Sequence, residues 1–300
     1  MRKHLLVILL LTTLPTFAEH LFEAGLRAGL AAYDAQCTYV TAVPDLHAGL
    51  LLTYSYHSPY VIGFRIGAAA DRHRAGFAKV GYTDSYTTID VENAPMQVDY
   101  TIGYLHEHYT VWSVALPLQV AVSWRHLNLY LGPMPVLPLS AAWQETAEDA
   151  ELSVYYPLQD NRVLESFPLA ASRHFREQQD GTQPSRTIRW WLSAEVSYDI
   201  LVHTARRSRS YISVGLYADY ALTRTVCLPS DRPSLLMLSD TRDGFPLRRL
   251  MTTVVTARRA GQQLVTDYCP FDLGLKLAYR IAPYDPAKRN TDLCHCYGIF

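Results

Sequence analysis

Nine ionisable side chains recur at spacings that would turn them the same way along extended chain. Glu23 and Arg27 are four residues apart, as are Glu195 and Asp199, and Asp272, Lys276 and Arg280 repeat that interval, while Arg65 and Asp219 sit in segments of the same kind. In a strand an even spacing puts side chains on one face. Their companions on that face are mostly glycine, alanine and serine, such as Gly25, Gly29, Gly63, Gly67, Ser193, Ser197, Gly215 and Gly274. Ions set on so small a lining must be paired if they are buried, because an unpaired charge in a low-dielectric interior is very costly. Two chemistries fit: a structural salt-bridge network, which is the expectation, or a lined path for ions or solutes.

Other reactive groupings are less complete. His106-Glu107-His108 has acid, base and metal-ligand character, but no Gly-x-Ser-x-Gly elbow or His-Glu-x-x-His spacing accompanies it, so a solvated or interfacial role is expected. Five cysteines, Cys37, Cys227, Cys269, Cys294 and Cys296, are too sparse to form a scaffold. Cys227 and Cys269 fall at the ends of adjacent candidate strands and form a candidate disulfide at the base of the 228–268 loop, with Cys37 as a competing partner. Cys294-His295-Cys296 lacks the second cluster that a metal site needs. No catalytic residue, metal ligand or cofactor-binding residue is therefore assigned, and no cofactor is expected. The 228–267 stretch carries Arg232, Arg242, Arg248, Arg249, Arg258 and Arg259, with Leu250–Thr256 able to project as a strand. Such a loop could meet lipopolysaccharide phosphates or an acidic partner, or be an ordinary solvated face.

The elements that position these groups are strands. Alternation of apolar with polar or small residues runs through 22–30, 47–56, 60–71, 112–124, 127–140, 189–200, 212–222 and 271–281. The clearest stretch sets Trp112, Val114, Leu116, Leu118, Val120, Val122 and Trp124 on one face, and its terminal tryptophans, with Trp190 at the start of the sixth segment, suit interfacial aromatic belts. Pro133, Pro135 and Pro138 predict that the fifth segment ends early or bulges. A soluble sandwich or lipocalin-like barrel also alternates, but it turns the apolar face inward and leaves charge outside. Here the polar face is too small and too sparsely charged to meet water, and it suits a narrow lumen filled with side chains.

Composition agrees with a membrane barrel. Of 300 residues 49% are hydrophobic and only 18% charged, with 21 tyrosines, and a net charge of −1 argues against nucleic acid as a partner. Arg2-Lys3-His4, the apolar run Leu5–Leu11 and Ala18 read as a secretory signal peptide over 1–18. The expected order is signal peptide 1–18, barrel 19–282, and 283–300 as a C-terminal tail or final strand. Link lengths fix the topology: with eight strands, short links at 57–59, 125–126 and 203–209 follow even strands, and long links at 33–45, 72–108, 141–186 and 225–267 follow odd ones. That parity is what an outer-membrane barrel shows, with short periplasmic turns and long extracellular loops. Met96–Tyr104 then reads as an extracellular hairpin extension, and ten strands is the alternative.

Gly25-Leu26-Arg27-Ala28-Gly29-Leu30, Val114-Ala115-Leu116-Pro117-Leu118, Tyr130-Leu131-Gly132-Pro133 and Gly274-Leu275-Lys276-Leu277-Ala278-Tyr279-Arg280 resemble segments of the outer-membrane β-barrel proteins of the Bacteroidota, the PorT-like group. The resemblance covers most of 20–143 and 187–282. It implies an all-β, antiparallel up-and-down transmembrane barrel in the outer membrane of a Gram-negative bacterium, and it carries no activity. One departure is that members of the group usually end on an aromatic residue closing the last strand, whereas here the chain runs on to Phe300. The expectation for function is a non-enzymatic anchor, interaction scaffold or assembly factor. Its partners would be outer-membrane lipid, lipopolysaccharide and a protein met through the loops; a narrow pore or transporter and a rim-active enzyme are the alternatives.

Overall fold

A computed structural model describes residues 19–57, 62–89, 94–124, 126–158, 161–163, 175–183, 187–205, 208–230, 234–238 and 249–283. The signal segment, the 284–300 tail, Cys294, Cys296, Arg232, Arg242 and Arg248 lie outside these residues.

The strands in chain order are β1 (Glu19–Cys37), β2 (Thr41–His57), β3 (Ile62–Ile89), β4 (Pro95–Ala115), β5 (Leu118–Trp124), β6 (Leu127–Tyr156), β7 (Asn161–Val163) and β8 (Phe175–Gln183). They continue with β9 (Arg189–Ala205), β10 (Ser208–Ala221), β11 (Thr225–Val226), β12 (Leu236–Leu238), β13 (Arg249–Met251), β14 (Arg258–Arg259), β15 (Gln262–Gln263) and β16 (Val265–Pro283). Antiparallel pairing runs β1-β2-β3-β4-β6-β9-β10-β16 and returns from β16 to β1, with β5 between β3 and β6 as the continuation of β4. The result is a closed ring of eight strands. Phe22 faces Ile281 and Leu30 faces Leu273 across the seam, so closure is made by 265–283.

The break between β4 and β5 has a cause in the neighbouring strand. Pro133 and Pro135 cannot donate ladder hydrogen bonds, and the ladder is interrupted beside them, between Val136, which faces Ala115, and Leu131, which faces Val120. β6 itself does not end early. It runs on through Pro138, and the register shift against Trp112/Ser113 absorbs one residue as a bulge.

The outside of the ring is apolar. Leu26, Leu50, Leu131, Leu216, Leu275 and Leu277 are all half exposed or more on the outer face, an arrangement that water penalises and hydrocarbon accepts. Trp112 and Trp190 stand at one end of this band and Trp124 at the other. Twelve residues separate Trp112 from Trp124, which at about 3.3 Å per residue and a tilt near 45° spans roughly 28 Å, the thickness of a bilayer core. Among the described residues no helix is long and apolar enough to cross a membrane; the crossing is made by strands.

The long connections are made largely of strand. β3, β4 and β6 continue past the tryptophan level as a sheet extension, with β8 paired to β6 beyond it. Met96–Tyr104 belongs to this extension, inside β4. The extension's outer face carries Thr83, Ser85, Thr87, Thr101 and Glu151 in place of leucine, so it stands in water.

Candidate functional site

All nine charges singled out by spacing lie inside the ring, each at 9% exposure or less. The lumen is narrow because small residues let the strands come close: Gly29 faces Gly274 across the seam, and a methyl on either would run into the opposing backbone.

The charges sort into two layers. In the lower one Glu23, Glu195 and Asp199 meet Arg65, Lys276 and Arg280, three against three. Arg65 donates to Glu195 at 2.7 Å and to Glu23 at 2.9 Å; Lys276 donates to Glu23 at 3.0 Å and also to Glu195; Arg280 donates to Glu23 at 2.5 Å and to Asp199 at 2.6 Å. Tyr130 lies beneath the cations, its ring centre 4.4 Å from the Arg65 guanidinium. Asn128 donates to Asp199 at 2.9 Å. The layer is neutral and cross-linked from β1, β3, β9 and β16, which is what keeps buried ions tolerable. Chemically it is a salt-bridge network.

The upper layer contains Arg27, Asp219 and Asp272 together with three residues that spacing alone did not single out, His47, Asp71 and His73. Arg27 pairs with Asp219 and stacks over the Tyr217 ring at 4.1 Å. His73 Nδ1 is 2.7 Å from Asp272 Oδ1, and His47 Nδ1 is 2.5 Å from the Tyr217 hydroxyl. His47 Nε2 is 3.5 Å from Asp71 Oδ1. The Asp71 carboxylate fits over Gly49, where any side chain would displace it. His73 and Asp272 make a base with an orienting acid, and among the described residues His73 Nε2 has no hydrogen-bond partner. Asp71 and His47 were visible in the alternation as lumen-facing positions; the signal for their pairing was that parity, read without regard to charge.

Above this layer the loop between β11 and β16 corrects a sequence expectation. It does not project: 234–238 and 249–264 fold into the mouth of the extension, where Leu235, Leu236, Val254 and Leu264 are fully buried against Phe77, Ile102 and Leu105. Thr253 and Thr256 form a tight turn, with the Thr253 carbonyl accepting from the amides of Thr256 and Ala257. Ser234 Oγ is 2.5 Å from the Tyr100 hydroxyl, and Arg259 stacks on Tyr39 at 4.4 Å. Apolar runs such as Leu235-Leu236-Met237-Leu238 were the available sign that this loop is a plug.

His106-Glu107-His108 is split by the alternation of β4. The histidines lie on the outer side, where Arg74 reaches His108 Nε2 at 3.1 Å, and burial followed by the Arg74 charge lowers both their pKa values. Glu107 points inward, fully buried, and faces Glu145 of β6. It accepts the Val254 amide of the plug at 2.8 Å. Burial pushes the Glu107 carboxyl up to about 7, and burial followed by the Glu107 charge raises that of Glu145 well above its usual range, so the pair holds a proton.

Cys37, Cys227 and Cys269 are free thiols, and the candidate Cys227–Cys269 bond is not formed. Cys227 packs in the core beneath the plug. Cys269 pairs with Asp34 on the outer side of β16 and donates to the Ala221 carbonyl at 2.8 Å. Adjacent strands do not suffice when the two side chains leave on opposite faces. Among the described residues no three His, Cys, Asp or Glu side chains are disposed to hold a metal ion.

No known protein family and no curated protein matches the chain. Among solved structures it is similar to Ail, the attachment invasion locus protein of Yersinia pestis, in complex with the heparin analogue sucrose octasulfate, at 8% identity and a TM-score of 0.21 over 86% of this chain and 98% of that one. It is also similar to the outer membrane protease OmpT from Escherichia coli, at 5% identity and a TM-score of 0.23 over 91% and 98%. Likeness at this level says nothing of activity. The barrel assignment rests on the closed ring and its apolar belt.

Proposed function

We propose that this chain is a non-enzymatic outer-membrane protein of a Gram-negative bacterium, exported by residues 1–18, whose barrel anchors a plugged extracellular extension that serves as an interaction scaffold. The observation that carries the reading is the neutral three-on-three ion layer, which cross-links the lumen from four strands and which we read as a seal. Outer-membrane lipid and lipopolysaccharide would meet the Trp112 and Trp190 belt, and a protein partner would meet the extension. The short motifs that resemble those of the PorT-like barrels of the Bacteroidota favour membership of that group, which permits an assembly-factor role without specifying it.

The test is cell fractionation combined with gel mobility before and after boiling, followed by planar-bilayer recording. Outer-membrane recovery, a heat-dependent band shift, a mature N-terminus at Glu19 and no reproducible channels are expected. A soluble protein without a shift overturns the anchor, and clear unitary conductance overturns the seal.

A further inference from the structure

The upper layer does not balance as the lower one does. Asp71, Asp219 and Asp272 are set against Arg27 within the lumen and Arg189 on the cavity wall, three acids against two permanent cations, with His47 and His73 beside Asp71 and Asp272 carrying charge only when protonated. Where they converge there is a half-enclosed cavity of about 80 Å³. That is several times what one water needs and close to the size of a molecule of a few heavy atoms.

Aromatic rings form much of its wall. Tyr33 and Tyr268 stand 4.9 Å apart between ring centres, Tyr33 lies 6.5 Å from Tyr109, and Trp191 meets His73 edge-on at 6.3 Å. Among the described residues, two buried polar atoms lining the cavity have no hydrogen-bond partner, His73 Nε2 and the indole Nε1 of Trp191, and Asp71 Oδ1 has only the long 3.5 Å approach of His47 Nε2. Asp71 is 6% exposed and Trp191 7%. A buried carboxylate oxygen held only at that length has room for a closer donor, and π faces around it favour a positive one. A free indole N–H and an imidazole nitrogen call for a further polar group on the same small molecule.

We propose that this cavity is a binding site for a small protonated amine carrying a second polar group, with the ammonium on Asp71 and the tyrosine faces, and the polar group toward Trp191 and His73. The ligand supplies a permanent positive charge against the third acid and hydrogen-bond partners for the indole and imidazole nitrogens. Guests bulkier than a few heavy atoms are excluded by volume.

The probe is ethanolamine hydrochloride, titrated calorimetrically into the full folded protein at neutral pH, with ethylene glycol as the neutral counterpart and sodium chloride at matched ionic strength. Saturable binding of ethanolamine, no binding of ethylene glycol, and a weakening of about tenfold or more in Asp71→Asn are expected. In nitrogen-labelled protein the Trp191 indole resonance, assigned by its loss in Trp191→Phe, should move with the titration. Absence of saturation, equal response to ethylene glycol or to sodium, or an unmoved indole resonance overturns the proposal. If Asp71→Asn does not fold, the ammonium-against-diol comparison and the indole shift in the parent protein decide it.

Discussion

Glu23 holds three cations at once, and replacing it by glutamine takes the lower layer out of balance. Its carboxylate, 1% exposed, accepts from Arg65, Lys276 and Arg280. In Glu23→Gln those cations face only Glu195 and Asp199, so one positive charge is left uncompensated in a sealed interior. Breaking a buried pair this way costs about 3–5 kcal/mol, and because the glutamine carbonyl still accepts one donor the lower end applies, about 3 kcal/mol or roughly 100-fold in the folding equilibrium. Glu23→Gln combined with Lys276→Met restores two against two and leaves Arg65 on Glu195 at 2.7 Å and Arg280 on Asp199 at 2.6 Å. The double variant is therefore expected to be more stable than the sum of the single costs by about 2 kcal/mol. Urea unfolding in lipid vesicles, followed by tryptophan emission and by the unboiled gel band, measures all four proteins. A Glu23→Gln cost below about 1 kcal/mol, or strictly additive single costs, would refute the idea that charge balance holds this layer together.

Three other outcomes follow from the same structure. Glu107, with its carboxyl raised to about 7 from an ordinary 4.5, contributes stability that is complete below the unfolded value and lost as pH rises through the folded one; hydrogen-exchange protection at the Val254 amide should fall between about pH 5 and 8 in the parent and stay flat in Glu107→Gln. Leu275→Arg, harmless on a water-facing surface, should cost about 2–4 kcal/mol of folding stability in bilayers if this face meets lipid; a neutral result would mean that it does not. Oxidation of the folded protein followed by peptide mapping should yield no Cys227–Cys269 link, since those thiols lie on opposite sides of the sheet; recovery of that peptide would show a different register at the mouth.

Much of the ring was legible because one physical pattern repeats along it. Hydrocarbon outside and a packed lumen inside force leucine and tryptophan to alternate with glycine, serine and paired ions, and the parity of the short links then orders eight strands. What was hidden lies beyond the membrane, where that contrast fades. Thr83, Thr87 and Thr101 face water from strands whose pairing is as regular as that of the barrel, yet without lipid on one side they read as connection. The plug was misread because arginines dominate its composition, while its course is set by Leu235, Leu236, Val254 and Leu264. Glu107 was hidden between two histidines that face the other way. His73 lies past the level where the pattern changes, so its partnership with Asp272 of β16 could come only from the register of the closed ring.

The last ring strand brings two of the three cations in the lower layer. Until β16 is in place, Glu23, Glu195 and Asp199 have only Arg65 for company, and the lower layer carries an excess of two negative charges. Such an open sheet is poorly suited to hydrocarbon, because unneutralised ions and unpaired edges are both expensive there. Arrival of Lys276 and Arg280 removes the charge in the same event that joins β16 to β1 and β10. Neutralisation and circularisation are thereby one event: a chain lacking β16 would bring that excess charge and two open edges to the bilayer, and the strand that closes the seam removes both.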